Sequence, residues 1–127
     1  MTRDERQAAI FAWAKAAFSV EEATSLPQRG LRLLEEAIEA FQACGGGEEK
    51  AHELVSFVFG RPPGEIGQEL GGVGVTLIAL AAAAGVSADA EEQREVARVL
   101  AEPINEFTQR NKAKNDAGFL LAKRGEP

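Results

Sequence analysis

The stretch PQRGLRLLEEAIEAFQACGGG, residues 27–47, decides the fold. Leu31, Leu34, Ile38 and Phe41 recur at helical spacing, and at 100° per residue they share an arc of roughly 80°. Ser25 and Gln28 stand at capping-box distance, and Pro27 suits a first helical turn. Gly45-Gly46-Gly47 then stops the helix. A core-facing helix over residues 27–43 is the expectation. Glu35, Glu39 and Glu36 fall on the adjoining arc, from roughly 40° to 140° past Leu31, so these acids flank the apolar seam.

The same reading extends in both directions. Residues 4–18 make a first helix, with Thr2 and Glu5 at capping-box spacing and Ile10, Phe11, Ala14, Ala17 and Phe18 on one face beside Trp13. Residues 19–26 read as a connection. A shorter helix fits residues 48–59, with Leu54, Val55 and Val58 turned inward, and Gly60-Arg61-Pro62-Pro63-Gly64 ends it. The next helix begins near Glu65 and stops at Gly85. Its apolar run, residues 73–86, is too short for a bilayer and is expected as a buried core helix. Ser87 and Asp89 both suit the cap of a helix starting near Ala90, which Pro103 breaks before a last stretch over residues 104–114. No segment shows sustained strand-type alternation. The fold class is all-α: one domain over residues 1–127, a bundle of about five helices, with the tail after about residue 117 open.

Composition limits the function. The net charge is −6 and the pI about 4.9, so the broad basic footprint that duplex nucleic acid requires is absent. The one cationic cluster is Arg110 to Lys114 with Lys123 and Arg124. Cys44 is the only cysteine, which excludes an intrachain disulfide and fits a reducing compartment. The charged start MTRDERQ carries no signal-type apolar core. A cytoplasmic protein without a membrane partner is therefore expected. His52 is the only histidine, which argues against a histidine-based zinc site or a Ser-His-Asp triad.

The acids fall in two places. Glu35, Glu36 and Glu39 crowd one side of the helix over residues 27–43, where a divalent cation would relieve their repulsion, and oxygen ligands suit Mg²⁺ or Mn²⁺. Glu65 and Glu69 lie one turn apart on a stripe that Gly72, Thr76 and Ala83 continue into apolar helix. Acids at the rims of two apolar helices are how bundles assemble carboxylate metal sites. The plain alternative is a solvated acidic face, with Glu65 favouring a helix N-terminus.

The segment RLLEEAIEAFQA, residues 32–43, resembles the first metal-binding helix of the all-α NTP pyrophosphohydrolases, the MazG-like, dCTPase and dimeric dUTPase-like superfamily. Glu69-Leu70-Gly71-Gly72-Val73 stands where that group carries an E-L-G-D-V-type motif, and QRNKAK, residues 109–114, is similar to its K-N-x-x-K ending. The resemblance implies a MazG-like four-helix core and a homodimer or homotetramer. It also implies Mg²⁺ (or Mn²⁺) held by Glu35, Glu36, Glu39 and Glu69, with one of the first three accepting a proton from water. Asn111 and Lys114, with Arg110 in place of the usual lysine, would contact phosphate oxygens. The resemblance places Phe11 and Trp13 at the border of a base pocket, although core packing is the plainer role for each. Gly72 departs from the pattern, because it replaces a metal-binding aspartate, and Glu65 is the substitute one turn before Glu69.

The implied activity is hydrolysis of a nucleoside triphosphate to monophosphate and pyrophosphate, in control of a nucleotide pool. The base and sugar stay open, a purine dNTP such as dGTP among them. The alternatives are a phosphoribosyl-ATP pyrophosphohydrolase-like enzyme, a nucleotide-binding protein that lost turnover with the aspartate, and a helical interaction module whose acids are solvated.

Overall fold

Helix α1 (Arg3–Ala17) starts on the capping box that Thr2 and Glu5 anticipate. The Glu5 amide donates to Thr2 Oγ1 at 3.1 Å and the Thr2 amide donates to the Glu5 carboxylate at 2.8 Å. These two bonds hold the Glu5 carboxyl below the usual carboxylate range. The computed structural model describes residues 1–122, and among them every regular element is helical. After α1 come α2 (Val20–Thr24), α3 (Leu26–Ala43), α4 (Glu48–Phe59), α5 (Ile66–Ala84), α6 (Ala88–Ala101) and α7 (Ile104–Lys114). A π-helical turn, Asn115–Phe119, continues α7. The all-α reading is correct, and the glycine and proline breakers fall where α3, α4 and α6 end.

Two local features depart from expectation. Residues 19–26 are not a plain connection but contain α2, a helix too short to show an apolar period. Its cap, Ser19, sits at φ 134° and ψ 162°, with its hydroxyl accepting from the Glu22 amide at 3.1 Å. An L-residue rarely adopts that backbone region, so the corner is strained and the cap bond offsets part of the cost. Gln28 closes only half of the anticipated box. Its amide nitrogen donates to Ser25 Oγ at 3.2 Å, but its side chain points elsewhere, to the end of the described chain.

The contacts divide the chain into two compact units, Met1–Glu36 with the chain from Gln93 onward, and Ala37–Glu92. The first has a core. α1 packs on α2 and α7, burying Ala14, Ala17, Ala23 and Phe107. Trp13 meets Phe18 and Phe107 edge-on, with ring centroids 5.1 and 5.0 Å away, the arrangement aromatic quadrupoles favour. Thr108 Oγ1 donates to the Ala17 carbonyl at 2.7 Å and fastens α7 to the end of α1.

Ala37–Glu92 is built differently, and here the sequence expectation is overturned. The run over residues 73–86 is not a buried core helix, since Ala81 is the one buried residue between Ala37 and Glu92. Leu54, Val55 and Val58 on α4, expected inward, are exposed, as are Leu34, Ile38 and Phe41 on α3. Periodicity identified these helices, but it says nothing of whether the same chain supplies a surface to cover them. By length and composition alone, α5 would suffice to cross a membrane, with a mean hydropathy of 1.5 over its apolar window. Between α3 and α4 the Phe41 ring lies against Gly46, where any Cβ would collide with it. A side chain there would have to displace the Phe41 ring, which favours glycine at the middle of the breaker.

Glu65 caps α5 by accepting from the Gly67 and Gln68 amides, both at 2.8 Å. Those bonds favour the carboxylate and hold its carboxyl below the usual range. Because the folded value is depressed, the cap is fully formed above the ordinary carboxylate range and is lost as pH falls through the lowered value. A pH titration of amide exchange should therefore show Gly67 and Gln68 losing protection on acidification, while Glu65→Ala lacks that protection at neutral pH. Equal protection in the variant at every pH would contradict the cap.

Candidate functional site

The polar residues of the first unit converge from four elements. α2 supplies Glu22, α3 supplies Arg29, Arg32 and Glu35, α7 supplies Asn111 and Lys114, and the π-helical turn adds Asn115. The short α2, turned by the Ser19 corner, presents the Glu22 carboxylate to both amides. Asn111 Nδ2 donates to it at 3.0 Å and Asn115 Nδ2 at 3.2 Å. From the opposite side, Arg32 Nη2 donates to Asn111 Oδ1 at 3.1 Å and to Asn115 Oδ1 at 3.3 Å. Each asparagine thus bridges an acid and a cation. Asn111 is buried, so this pairing meets the requirement that a buried amide be satisfied at both ends.

Beside this bridge, Lys114 Nζ lies 3.0 Å from the Glu35 carboxylate, and Arg32 Nη1 is 3.8 Å from the same oxygen. Arg29 completes the cationic side. Its Nε donates to the Glu22 backbone carbonyl at 3.0 Å, and its guanidinium stands over the Phe18 ring at 5.0 Å. Burial, and secondarily the charge of Arg32, lower its pKa, while Glu22 acts in the other direction. The guanidinium stays protonated at physiological pH. Its Nη2 is buried with no hydrogen-bond partner among the described residues.

The sequence-derived residues divide accordingly. Glu35, Asn111 and Lys114 are brought together in the first unit. Arg110 faces away from them. Its Nη2 donates to Glu102 at 2.9 Å, which ties α7 to the residue after α6, and its guanidinium lies 5.2 Å from the Phe107 ring on the same helix. Glu36 and Glu39 follow Glu35 on the same continuous helix and are exposed. Glu69 belongs to the other unit, where its carboxylate folds back over Gly64, and Glu65 is the cap of α5. Trp13 is in the aromatic core, and Phe11 is exposed beneath Lys15 Nζ, 4.0 Å above its ring. Lys123 and Arg124 lie outside the described residues.

As a divalent-metal centre the acids do not form a ready set. Glu35 is engaged by two cations and Glu65 by two backbone amides. Among the described residues no group of three His, Cys, Asp or Glu side chains is placed to hold a metal ion. A cavity of about 540 Å³ between α3 and α4, within Ala37–Glu92, is walled by Ile38, Phe41, Ala51 and Val55, with His52 and Glu48 at its polar side. None of the five acids considered above lines it.

Glu22, Arg29, Arg32 and Asn115 were not singled out by sequence reasoning. Local signals existed for two of them. Arg32 stands one turn before Glu35, and Asn115 one turn after Asn111. Glu22 carried none, because its partners lie 89 and 93 residues away. Comparison with known proteins finds no matching family model, no matching curated protein and no matching solved structure.

Proposed function

We propose that the chain is a nucleoside triphosphate pyrophosphohydrolase dependent on Mg²⁺, releasing pyrophosphate and a nucleoside monophosphate. One observation supports the reading above the others. The acidic segment of α3 and the Asn-x-x-Lys segment of α7, to which the resemblance assigns the cation and the phosphates, face each other through Lys114–Glu35 and Arg32–Asn111 contacts across 79 residues of chain. The two charges are balanced internally, Lys114 on Glu35. A triphosphate with its counter-cation offers each a replacement, with phosphate oxygens for Lys114 and a cation for Glu35.

In this reading Lys114, Asn111 and Arg32 bind and orient the phosphate chain, and the α3 acids Glu35, Glu36 and Glu39 are the groups that would take the cation. When bound, Mg²⁺ would neutralise charge on the triphosphate and its leaving group. A carboxylate left free on α3 holds the proton drawn from the attacking water. Arg110, which pairs with Glu102, is not among these contacts.

The test is pyrophosphate release from the common NTPs and dNTPs, with phosphoribosyl-ATP included, in Mg²⁺ or EDTA. Turnover should require the cation, and Glu36→Ala and Lys114→Ala should each lower it by about 100-fold or more, the scale of losing a proton acceptor or a charge-stabilising group. Release that persists in EDTA, or that survives both substitutions, would rule the reading out. Turnover of phosphoribosyl-ATP alone would move the enzyme to that substrate.

A further inference from the structure

Glu22 is the one acid of the charged site with no part in the proposed reaction, yet Arg32 is tied to it through two asparagines. Its backbone is pinned on both sides. The amide donates to Ser19 Oγ at 3.1 Å, and the carbonyl accepts from Arg29 Nε at 3.0 Å. The carboxylate therefore starts from a fixed point. One of its oxygens, Oε1, accepts from both Asn111 Nδ2 and Asn115 Nδ2, and one nitrogen, Arg32 Nη2, donates to both Oδ1 atoms. Two amides thus run side by side between one carboxylate oxygen and one guanidinium nitrogen.

A primary amide has a donor end and an acceptor end, and its orientation follows the charges it meets. With Glu22 on one side, both Nδ2 groups turn to the acid and both oxygens are left for Arg32. Without that acid the amides are free to turn over, and an Nδ2 group facing Arg32 would set donor against donor. Asn111 is buried, so losing its acceptor strands a polar group away from water. Arg32 also shares the Glu35 oxygen with Lys114. Two cations that converge on one oxygen repel each other, so Arg32 needs a separate hold, and the asparagine pair provides it.

We propose that Glu22 is a positioning residue that acts through Asn111 and Asn115 to hold the Arg32 guanidinium where a phosphate of the bound chain meets it. This role rests on the triphosphate binding proposed above. Simple charge and positioning predict opposite signs for its removal. An acid beside a polyanion site repels the ligand, so deleting its charge alone would tighten binding. Deleting a positioning acid weakens binding, because Arg32 loses both of the oxygens that fix it.

The experiment is titration calorimetry of the full chain with inorganic tripolyphosphate in Mg²⁺, with Trp13 fluorescence checking that the core of each variant is intact. Glu22→Ala should weaken binding by about 10-fold or more, the scale on which residues that orient a ligating group act. Glu22→Gln, which keeps an acceptor for the two amides, should recover part of that loss. Glu21→Gln removes the same charge from an exposed neighbour and should shift affinity by less than about 2-fold. In an Arg32→Ala background, Glu22→Ala should cost little more, since the two side chains act as one unit. Affinity that is unchanged or higher in Glu22→Ala overturns the proposal. So does a Glu22→Ala loss of the same size with and without Arg32, and so does a wild-type chain that takes up no tripolyphosphate. If Glu22→Ala loses its core fluorescence, Glu22→Gln and Asn115→Ala carry the comparison, and wild-type affinity in both overturns it as well. Tripolyphosphate binding without turnover of any nucleotide would sink the hydrolase alone and leave Glu22 to be decided by these affinities. Turnover with independent effects of Glu22 and Arg32 would sink the positioning role alone.

Discussion

In a urea titration of the first unit, Phe107→Ala is expected to remove about 3–5 kcal/mol of stability, the range found for truncating a large buried aromatic. Phe107 is the one large side chain among the buried apolar residues, the other apolar ones being alanines. Its ring edge meets Trp13 at 5.0 Å, its face carries Arg110 at 5.2 Å, and it joins α7 to α1. The alanines allow the helices to approach but contribute little area, so most of the transfer energy of this small core resides in Phe107 and the neighbouring Trp13. Trp13 is the only tryptophan, which makes its fluorescence a reporter of this core alone. A loss below about 1 kcal/mol would mean that the ring is not packed as described.

The second large effect falls on Gln28. Its side chain is fully buried and holds the segment after the π-helical turn by two bonds. Nε2 donates to the Phe119 carbonyl at 3.0 Å, and Oε1 accepts from the Leu121 amide at 2.6 Å. Gln28→Leu keeps the approximate volume and removes both bonds, leaving a carbonyl and an amide without partners. The expected cost is about 2–4 kcal/mol, since each stranded group carries its own desolvation penalty. Hydrogen exchange separates this from a general loss. The Leu121 amide should exchange much faster in the variant under conditions where the α1 amides remain protected. Unchanged exchange at Leu121 would show that the clasp does not form.

The sequence made the helices legible because their ends are chemically marked. The triple glycine after α3, the Pro62-Pro63 pair after α4, Ser87 before α6 and Pro103 before α7 each alter the backbone in ways that need no tertiary context. α2 left no such mark, because five residues are too few for a period. Burial was illegible for another reason. An apolar stripe marks a helix without saying whether the chain covers it, and α5 shows that such a stripe can stay exposed. Of the charged site, Asn111, Lys114 and Glu35 could be read because they sit in recognisable runs. Glu22 and the actual partner of Arg110 could not, since those pairings depend on how α2, α6 and α7 are placed. Gln28 shows how local and distant demands compete. Its spacing from Ser25 matches a capping box, yet its amide is used 91 residues away.

The corner at Ser19 carries a consequence of its own. At φ 134° the backbone there has the handedness natural to a D-amino acid, and an L-residue occupies it only under constraint. Glycine, which has no handedness, would relieve the backbone but would lose the hydroxyl that receives the Glu22 amide. Valine or isoleucine would suffer the strain and supply no hydroxyl to the Glu22 amide. Serine is thus a compromise between chirality and capping. The direction in which Glu22 faces the two asparagines is set by one stereocentre that the chain holds against its own preference.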